Sequence, residues 1–216
     1  MGENGQKAAL AADPAPLGLA AFALTTFLLS AKNAGWTDGG SAWLGFAFAY
    51  GGIAQLLAGM WEFRNRNVFG ATAFSTYGAF WIGLGFYVLL AEEASPNALN
   101  DLGWIMIAFG IFNTYMMLWS TRVNKGVFGV FATLEVTFIV LALGFLSDSS
   151  AIIKTGGVIG VITAAVAWYV SAAGVVNGMV GREIVKVGRP LWVDTPSRFV
   201  DAPEMSRKPA DIELKH

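Results

Sequence analysis

Six apolar stretches, each long enough for a helix to cross a bilayer, occupy most of this 216-residue chain. A helix of about 20 residues spans the hydrocarbon of a membrane. The stretches lie at residues 17–34, 41–61, 68–91, 102–120, 127–146 and 156–181. Because they are continuously apolar and do not alternate in polarity, the pattern predicts helices and not a β-barrel. We therefore expect an all-α integral membrane protein with six transmembrane helices.

The composition agrees with a membrane protein and excludes several kinds of chemistry. Hydrophobic residues make up 55% of the chain and charged residues 13%, whereas about 25% of the residues of a soluble domain are charged. There is no Cys, and the one His is the last residue, His216. Disulfides, thiol chemistry and zinc clusters are therefore not expected. With no paired acids in the spans, we expect no enzyme activity, cofactor, metal or nucleic-acid partner.

The distribution of basic residues predicts the orientation. Of the 14 Lys and Arg residues, only Lys32 and Lys154 fall on one side of the predicted helices. The positive-inside rule then places both termini in the cytoplasm. We expect the protein to span the inner (plasma) membrane. Trp36, Trp43 and Trp104 are expected near the outer boundary, as part of an interfacial aromatic belt.

The spans divide the chain into three regions. Residues 1–16 form an N-terminal tail, 17–187 the transmembrane domain, and 188–216 a C-terminal tail rich in Pro and in charges of both signs. A segment of that composition cannot bury a core, so we expect the C-terminal tail to be disordered.

Small and polar residues mark the faces along which helices meet. In the second span Gly52, Gln55, Gly59 and Glu62 recur at helical spacing and share one face. Asn177 occupies a similar position in the sixth span. Two interpretations remain open for these amides: tight helix packing with an interhelical hydrogen bond, or direct contact with a transported solute.

The first span begins with a helix-start pattern and continues with a polar face. Asp13 precedes Pro residues, which are tolerated at helix starts, and is placed to cap the first turn. Phe22, Thr25 and Thr26 then share a face through their spacing. They suit a pore wall; the alternative is that each Thr donates to a carbonyl of its own helix.

Glu135 is a carboxylate well inside the fifth span. An acid at this depth is a functional candidate that faces the bundle interior or a water-filled path. It is a candidate proton relay, although the sequence shows no partner for it. The alternative is structural, with Glu135 fastening two helices or facing a subunit interface.

Several short motifs together carry a family resemblance. They comprise Asp13, Pro14, Pro16 and Gly18 in the first span, Tyr50, Gly51, Gly52, Gln55, Gly59 and Glu62 in the second, and Tyr77, Gly78, Phe80 and Trp81 in the third. With these motifs the chain resembles the acetate uptake transporters, which include succinate-acetate permeases and fungal acetate and ammonia-related proteins. Two positions depart from the family pattern: Asp13 stands where Asn is usual, and Ala49 where Phe is common.

The resemblance implies six helices per subunit, a homo-hexamer and a separate path through each protomer. It also implies a constriction formed by Phe22, Tyr77 and Leu134. The expected substrates are acetate and related small carboxylates such as succinate. The residues expected along the path are Thr25, Thr26, Tyr50, Gln55, Trp81 and Asn113.

The solute's chemistry fits these residues. Acetate needs an apolar surface for its methyl group, which Phe22 and Leu134 supply, and donors for its carboxylate. No Lys or Arg is expected deep in a span, which favours weak, donor-based binding over a charge trap. The sequence leaves open whether permeation is channel-like or proton-coupled. It also leaves two other functions: a channel for ammonia, ammonium or urea, and a membrane scaffold that transports nothing.

Overall fold

The computed structural model describes residues 12–37, 42–94 and 97–193, and these ranges contain helices and no β-strand. Six helices are long and apolar enough to cross a membrane, which confirms the predicted fold class. The elements are α1 Ala15–Asn33, α2 Ala42–Phe46, a π-helical segment Ala47–Ala54, α3 Gln55–Arg64, α4 Val68–Ala94, α5 Ala98–Ser120, α6 Lys125–Leu146 and α7 Ser150–Val180.

Two spans differ from the sequence prediction. The second span is one continuous rod, Ala42–Arg64, whose middle is π-helical, and no sequence pattern indicated this. The sixth span begins at Ser150 and not at 156, so Lys154 lies inside α7. Lys154 is exposed there, and a Lys near a helix end can extend its ammonium out of the apolar layer.

The six spans close around a shared interior. Helix α1 packs between α7 and the second span, which packs in turn on α4, while α6 packs on both α5 and α7. Helices α4 and α5 meet mainly through aromatic rings. The ring centroids of Phe80 and Phe109 are 4.5 Å apart, and those of Tyr77 and Phe112 are 5.3 Å apart. Side chains of α1, α4, α5 and α6 line a space in this interior.

The glycines of the second span and of α4 allow these two helices to approach closely. A Cβ atom on Gly78 would lie 2.8 Å from the backbone nitrogen of Leu56, and one on Gly59 would overlap Ser75. Backbone proximity of this kind holds helices together in lipid, where the hydrophobic effect does not. The glycines of the predicted stripe therefore serve packing.

Asn177 fulfils neither interpretation proposed for it. Its Oδ1 accepts hydrogen bonds from the backbone nitrogens of Ile184 and Val185 at 2.7 and 2.9 Å, and its Nδ2 donates to the Val185 carbonyl at 2.8 Å. The amide thus folds the chain back at the end of α7. Within the described residues it bonds to no neighbouring helix, and it lines none of the three pockets.

The C-terminal tail stays in contact with the membrane domain beyond the predicted boundary at residue 188. The backbone nitrogens of Leu191 and Trp192 donate to the Thr121 carbonyl at 2.8 and 3.1 Å, and the Arg122 guanidinium lies 4.7 Å from the Trp192 ring centroid. Residues 1–11 and 194–216 lie outside the described residues. The predicted disorder of the tail therefore stays a prediction for residues 194–216.

Candidate functional site

Two cavities lie in line inside the helix bundle. The wide cavity has a volume of about 310 Å³ and lies toward the end of α1, where Asn33 contributes to its lining. The narrow cavity has a volume of about 80 Å³ and lies toward the start of α1, where Ala15 contributes. Phe22, Tyr77 and Leu134 line both cavities. The three residues of the expected constriction therefore sit where the two cavities meet, and we call this set the junction.

The junction is closely packed and largely apolar. Its three side chains are at most 5% exposed, and the rings of Phe22 and Tyr77 are 5.7 Å apart between centroids. Phe80 flanks the Tyr77 ring on the side of the wide cavity and Phe131 on the side of the narrow cavity. Each residue comes from a different helix, α1, α4 or α6, so small helix movements would change the width of the junction.

Polar donors lie beside the wide cavity among its many apolar side chains. Thr26, Trp43 and Trp81 all line it, and each is at most 5% exposed. The Thr26 hydroxyl and the two indole N–H groups have no hydrogen-bond partner within the described residues. An unpaired buried donor is costly, and a carboxylate, which only accepts hydrogen bonds, is a suitable partner for such groups.

Two residues that line the wide cavity were not predicted from the sequence. Trp43 was expected at the membrane interface but is 1% exposed and lines the cavity. Lys32, in the last turn of α1, also lines it, with its Nζ 5.9 Å from the Trp43 ring centroid. Lys32 lies at the end of α1, so it adds a cation at one end of the cavity and leaves the deep part of the span without Lys or Arg, as expected. The face of α1 that carries Phe22 and Thr26 continues to Asn33, which follows Lys32 in the sequence. This spacing could have indicated that Lys32 lies near the cavity.

The narrow cavity is bordered by a small polar cluster. Glu62 Oε2 accepts a hydrogen bond from Asn67 Nδ2 at 2.9 Å, and Asn67 Oδ1 accepts one from the Gly70 backbone nitrogen at 3.1 Å. A Cβ atom on Gly70 would lie 2.7 Å from Glu62 Oε1, so a glycine at this position allows the cluster to close. Gln55 also lines this cavity. Gln55 Oε1 and Glu62 Oε1 are buried without a partner in the described part of the chain.

Several predicted path residues do not line either cavity. Thr25 is fully buried, its hydroxyl lies 3.4 Å from the Phe46 carbonyl, and a Cβ on Gly51 would lie 2.6 Å from its Oγ1. It therefore joins α1 to the second span and does not bond its own helix. Tyr50 is half-buried in the π-helical segment. Asp13 lies at the start of α1, where its Oδ1 accepts a hydrogen bond from the Ala15 nitrogen at 2.9 Å.

The remaining motif positions pack helices. A Cβ atom on Gly18 would lie 2.7 Å from the Phe74 ring, and one on Gly52 would lie 2.6 Å from Ile82. The carbonyl of Pro16, which follows the N-cap residue Pro14, accepts a hydrogen bond from the Ser171 hydroxyl at 2.6 Å. These contacts fix α1 and the second span around the cavities.

Asn113 and Glu135 lie outside both cavities. Asn113 is fully buried and lines neither cavity. Glu135 lines a separate groove of about 290 Å³ between α5 and α6. It has two partners that the sequence did not reveal: Asn113 Nδ2 and the Thr114 hydroxyl donate to its carboxylate at 2.7 and 2.8 Å. Of the two interpretations left open for Glu135, these contacts fit the structural one, in which it fastens two helices.

No group of three or more His, Cys, Asp or Glu side chains that could hold a metal ion occurs within residues 12–37, 42–94 and 97–193. The polar groups that line the two cavities include hydroxyls, amides, indole N–H groups, the Glu62 carboxylate and the Lys32 ammonium.

Comparison with known proteins identifies relatives along most of the chain. Residues 4–182 match the GPR1/FUN34/yaaH family. The chain is 38% identical over 203 residues to acetate permease A of Emericella nidulans, covering 85% of this chain and 68% of the relative. It is 37% identical over 179 residues to the succinate-acetate/proton symporter SatP of Escherichia coli strain K12, covering 82% of this chain and 95% of the relative. A solved structure described as the bacterial acetate channel SatP superposes with a TM-score of 0.79 at 36% identity, covering 82% of this chain and 99% of that one.

Proposed function

This chain belongs to the GPR1/FUN34/yaaH family, and we propose that it carries small carboxylates, acetate above all and also succinate, across a membrane. The solute passes through the two cavities of one protomer and crosses between them at the junction. The relatives named for acetate and the fold shared with an acetate channel support this substrate class.

The observation that carries the proposal is that Phe22, Tyr77 and Leu134 line both cavities. An apolar constriction between two wider spaces can close by excluding water and open by a small widening. It also selects by size, because each additional methylene group must fit between the same three side chains. A path of this design suits a short acid with one methyl group.

The surroundings of the junction provide for the carboxylate. On the wide side lie the Thr26 hydroxyl, the indole N–H groups of Trp43 and Trp81, and the Lys32 ammonium at the cavity end. Lys32 attracts an anion toward the cavity, and neutral donors then hold it weakly. Weak binding is required for conduction, since the ion must leave as well as enter.

We further propose a homo-hexamer in the inner (plasma) membrane, with both termini in the cytoplasm and no enzymatic activity. The hexamer follows from the family resemblance. Glu135 supports an assembly, because it lies in a groove that opens between α5 and α6, and a carboxylate facing lipid is costly. The orientation rests on the loop residues Arg64, Arg66, Arg122 and Lys125, which lie on the side where α1 begins.

Uptake of radiolabelled acetate into liposomes tests the function. We expect saturable uptake that depends on the protein and exceeds the leak of acetic acid into empty liposomes. Propionate should compete, and urea and ammonium should not. Uptake of ammonium or urea without acetate uptake would instead support the other solute class, and the absence of any flux would favour a scaffold.

The same liposomes separate the two modes of transport that the relatives' names suggest, symporter and channel. The pH gradient and the membrane potential are set independently. Uptake driven by potential alone indicates an anion channel. Uptake that needs the proton gradient at clamped potential indicates proton coupling.

A further inference from the structure

A chain of hydrogen bonds connects the junction to the outer groove. The Tyr77 hydroxyl donates to Asn113 Oδ1 at 2.7 Å. Asn113 Nδ2 donates to the Phe131 carbonyl at 2.9 Å and to Glu135 Oε2 at 2.7 Å. Glu135 Oε1 accepts from the Thr114 hydroxyl at 2.8 Å. The network joins α4, α5 and α6.

The network fixes the direction of the hydrogen bonds that Asn113 makes. Both of the groups that face Asn113 Nδ2, the Phe131 carbonyl and the Glu135 carboxylate, accept hydrogen bonds, so this atom must be the amide's NH2 group. The oxygen of Asn113 must then point at Tyr77. An oxygen can only accept, so the Tyr77 hydroxyl must donate to it. The Tyr77 hydroxyl therefore donates its proton to Asn113, away from the junction, and the Tyr77 ring is the part of the side chain that faces the path.

We propose that Glu135 is a positioning residue, which locks the Asn113 amide and thereby holds Tyr77 at the width that sets size selectivity. This inference rests on the proposed function, since it assumes that the junction is on the transport path. It replaces the role of proton relay, because Glu135 lines neither of the two cavities.

The lock does not depend on the charge of Glu135. The Thr114 hydroxyl lies within hydrogen-bond distance of both Glu135 Oε1 and the Gly110 carbonyl, at 2.8 and 3.0 Å. If Oε1 carries a proton, it can donate to Thr114 Oγ1 while that hydroxyl donates to Gly110. Oε2 remains an acceptor for Asn113 in either state. Holding the Asn113 amide requires an oxygen acceptor at position 135 and does not require a negative charge.

Two substitutions at one position distinguish positioning from proton transfer. Glu135→Gln retains an oxygen for Asn113 and supplies an NH2 group that can donate to Thr114. Glu135→Leu has a similar size and removes both acceptors. Uptake of acetate, propionate and butyrate would be measured in liposomes, normalised to folded protein.

We expect Glu135→Gln to keep the wild-type ratio of butyrate to acetate uptake and the wild-type dependence on the proton gradient. Glu135→Leu should raise that ratio about fivefold, on the scale of one lost hydrogen bond. A purely structural role would lower the amount of folded protein and leave the ratio unchanged. An unchanged ratio in Glu135→Leu, or loss of proton-driven uptake in Glu135→Gln, would overturn the inference.

A readout without transport keeps this test separate from the proposed function. Structures of both variants would report the distance between the Tyr77 hydroxyl and Asn113 Oδ1. We expect a hydrogen bond in Glu135→Gln and a displaced Tyr77 side chain in Glu135→Leu. If the wild type carries no acetate, the proposed function fails while these distances still decide whether Glu135 positions Tyr77. An undisplaced Tyr77 in Glu135→Leu would contradict the inference directly.

Discussion

Replacing Leu134 by Ala should widen the junction and admit longer acids. Leu134 is 5% exposed, lines both cavities, and offers only apolar atoms to the path. Ala removes three carbon atoms from one wall and leaves Phe22 and Tyr77 in place. One methylene group in an apolar site changes discrimination by about 10-fold or more. We therefore expect the ratio of butyrate to acetate transport to rise by about 10-fold.

Leu141→Ala is a matched control for this change. Leu141 lies on the same helix, is also 5% exposed, and lines the wide cavity but not the narrow one. Both substitutions should destabilise the protein to a similar degree, since a buried Leu→Ala change costs about 2–5 kcal/mol. Only Leu134→Ala should change the ratio.

The assay is liposome uptake of acetate, propionate and butyrate at matched amounts of folded protein. Competition with unlabelled acid supplies a second estimate of selectivity. A ratio that stays at the wild-type value in Leu134→Ala, or that rises equally in Leu141→Ala, would refute the assignment of the junction as the size filter.

Three further changes test other parts of the account. Tyr77→Ala should also admit larger acids, and unchanged selectivity across the monocarboxylate series would count against Tyr77 as a wall of the junction. Lys32→Gln should raise the acetate concentration that gives half-maximal uptake about two- to fivefold at low ionic strength. The increase should be smaller in high salt, because screening removes the attraction between Lys32 and the anion. An increase that does not depend on salt would contradict an electrostatic role for Lys32. Gly78→Ala should cost about 1–3 kcal/mol by overpacking, because its Cβ would lie 2.8 Å from the Leu56 backbone nitrogen. Gly83→Ala is the control, because a Cβ atom at Gly83 of the same helix would have no atom within 4 Å. This variant should keep a midpoint of thermal unfolding in detergent near the wild-type value. Equal shifts of the midpoint in both variants would rule out the packing argument.

The spans could be predicted because they leave a direct trace in the sequence, whereas the junction was predicted from the family resemblance. Hydropathy over about 20 residues reports a membrane helix regardless of its neighbours. Phe22, Tyr77 and Leu134 were reached through the family resemblance, and the structure brings them together. Their role as a constriction remains a proposal.

The π-helical segment and the cavity role of Trp43 could not be predicted in this way. The π-helix runs through Gly51 and Gly52, which pack on Thr25 and Ile82 of other helices, and sequence periodicity does not report such long-range contacts. A Trp near the end of a span fits the lipid interface and the bundle interior equally well by composition. The packing of the neighbouring helices decides between them, and it buries Trp43.

The partners of Glu135 were hidden for a related reason. Helix α5 is apolar on nearly all sides, so its sequence does not show which face meets α6. The bonds from Asn113 and Thr114 depend on the register between these two helices. That register is a tertiary property, and a single carboxylate in a span cannot reveal it.

The absence of Cys from the chain permits the most direct test of the proposed path. A single cysteine would be introduced by Leu134→Cys, and acetate uptake would be measured before and after a thiol reagent attaches a benzyl group. Ile162→Cys is the control, because Ile162 lies inside α7, is 51% exposed and lines neither the two cavities nor the groove of Glu135. The extent of labelling is matched by mass spectrometry. We predict that modification abolishes uptake through Leu134→Cys and spares Ile162→Cys. Full acetate uptake through completely labelled Leu134→Cys would show that the solute does not pass the junction.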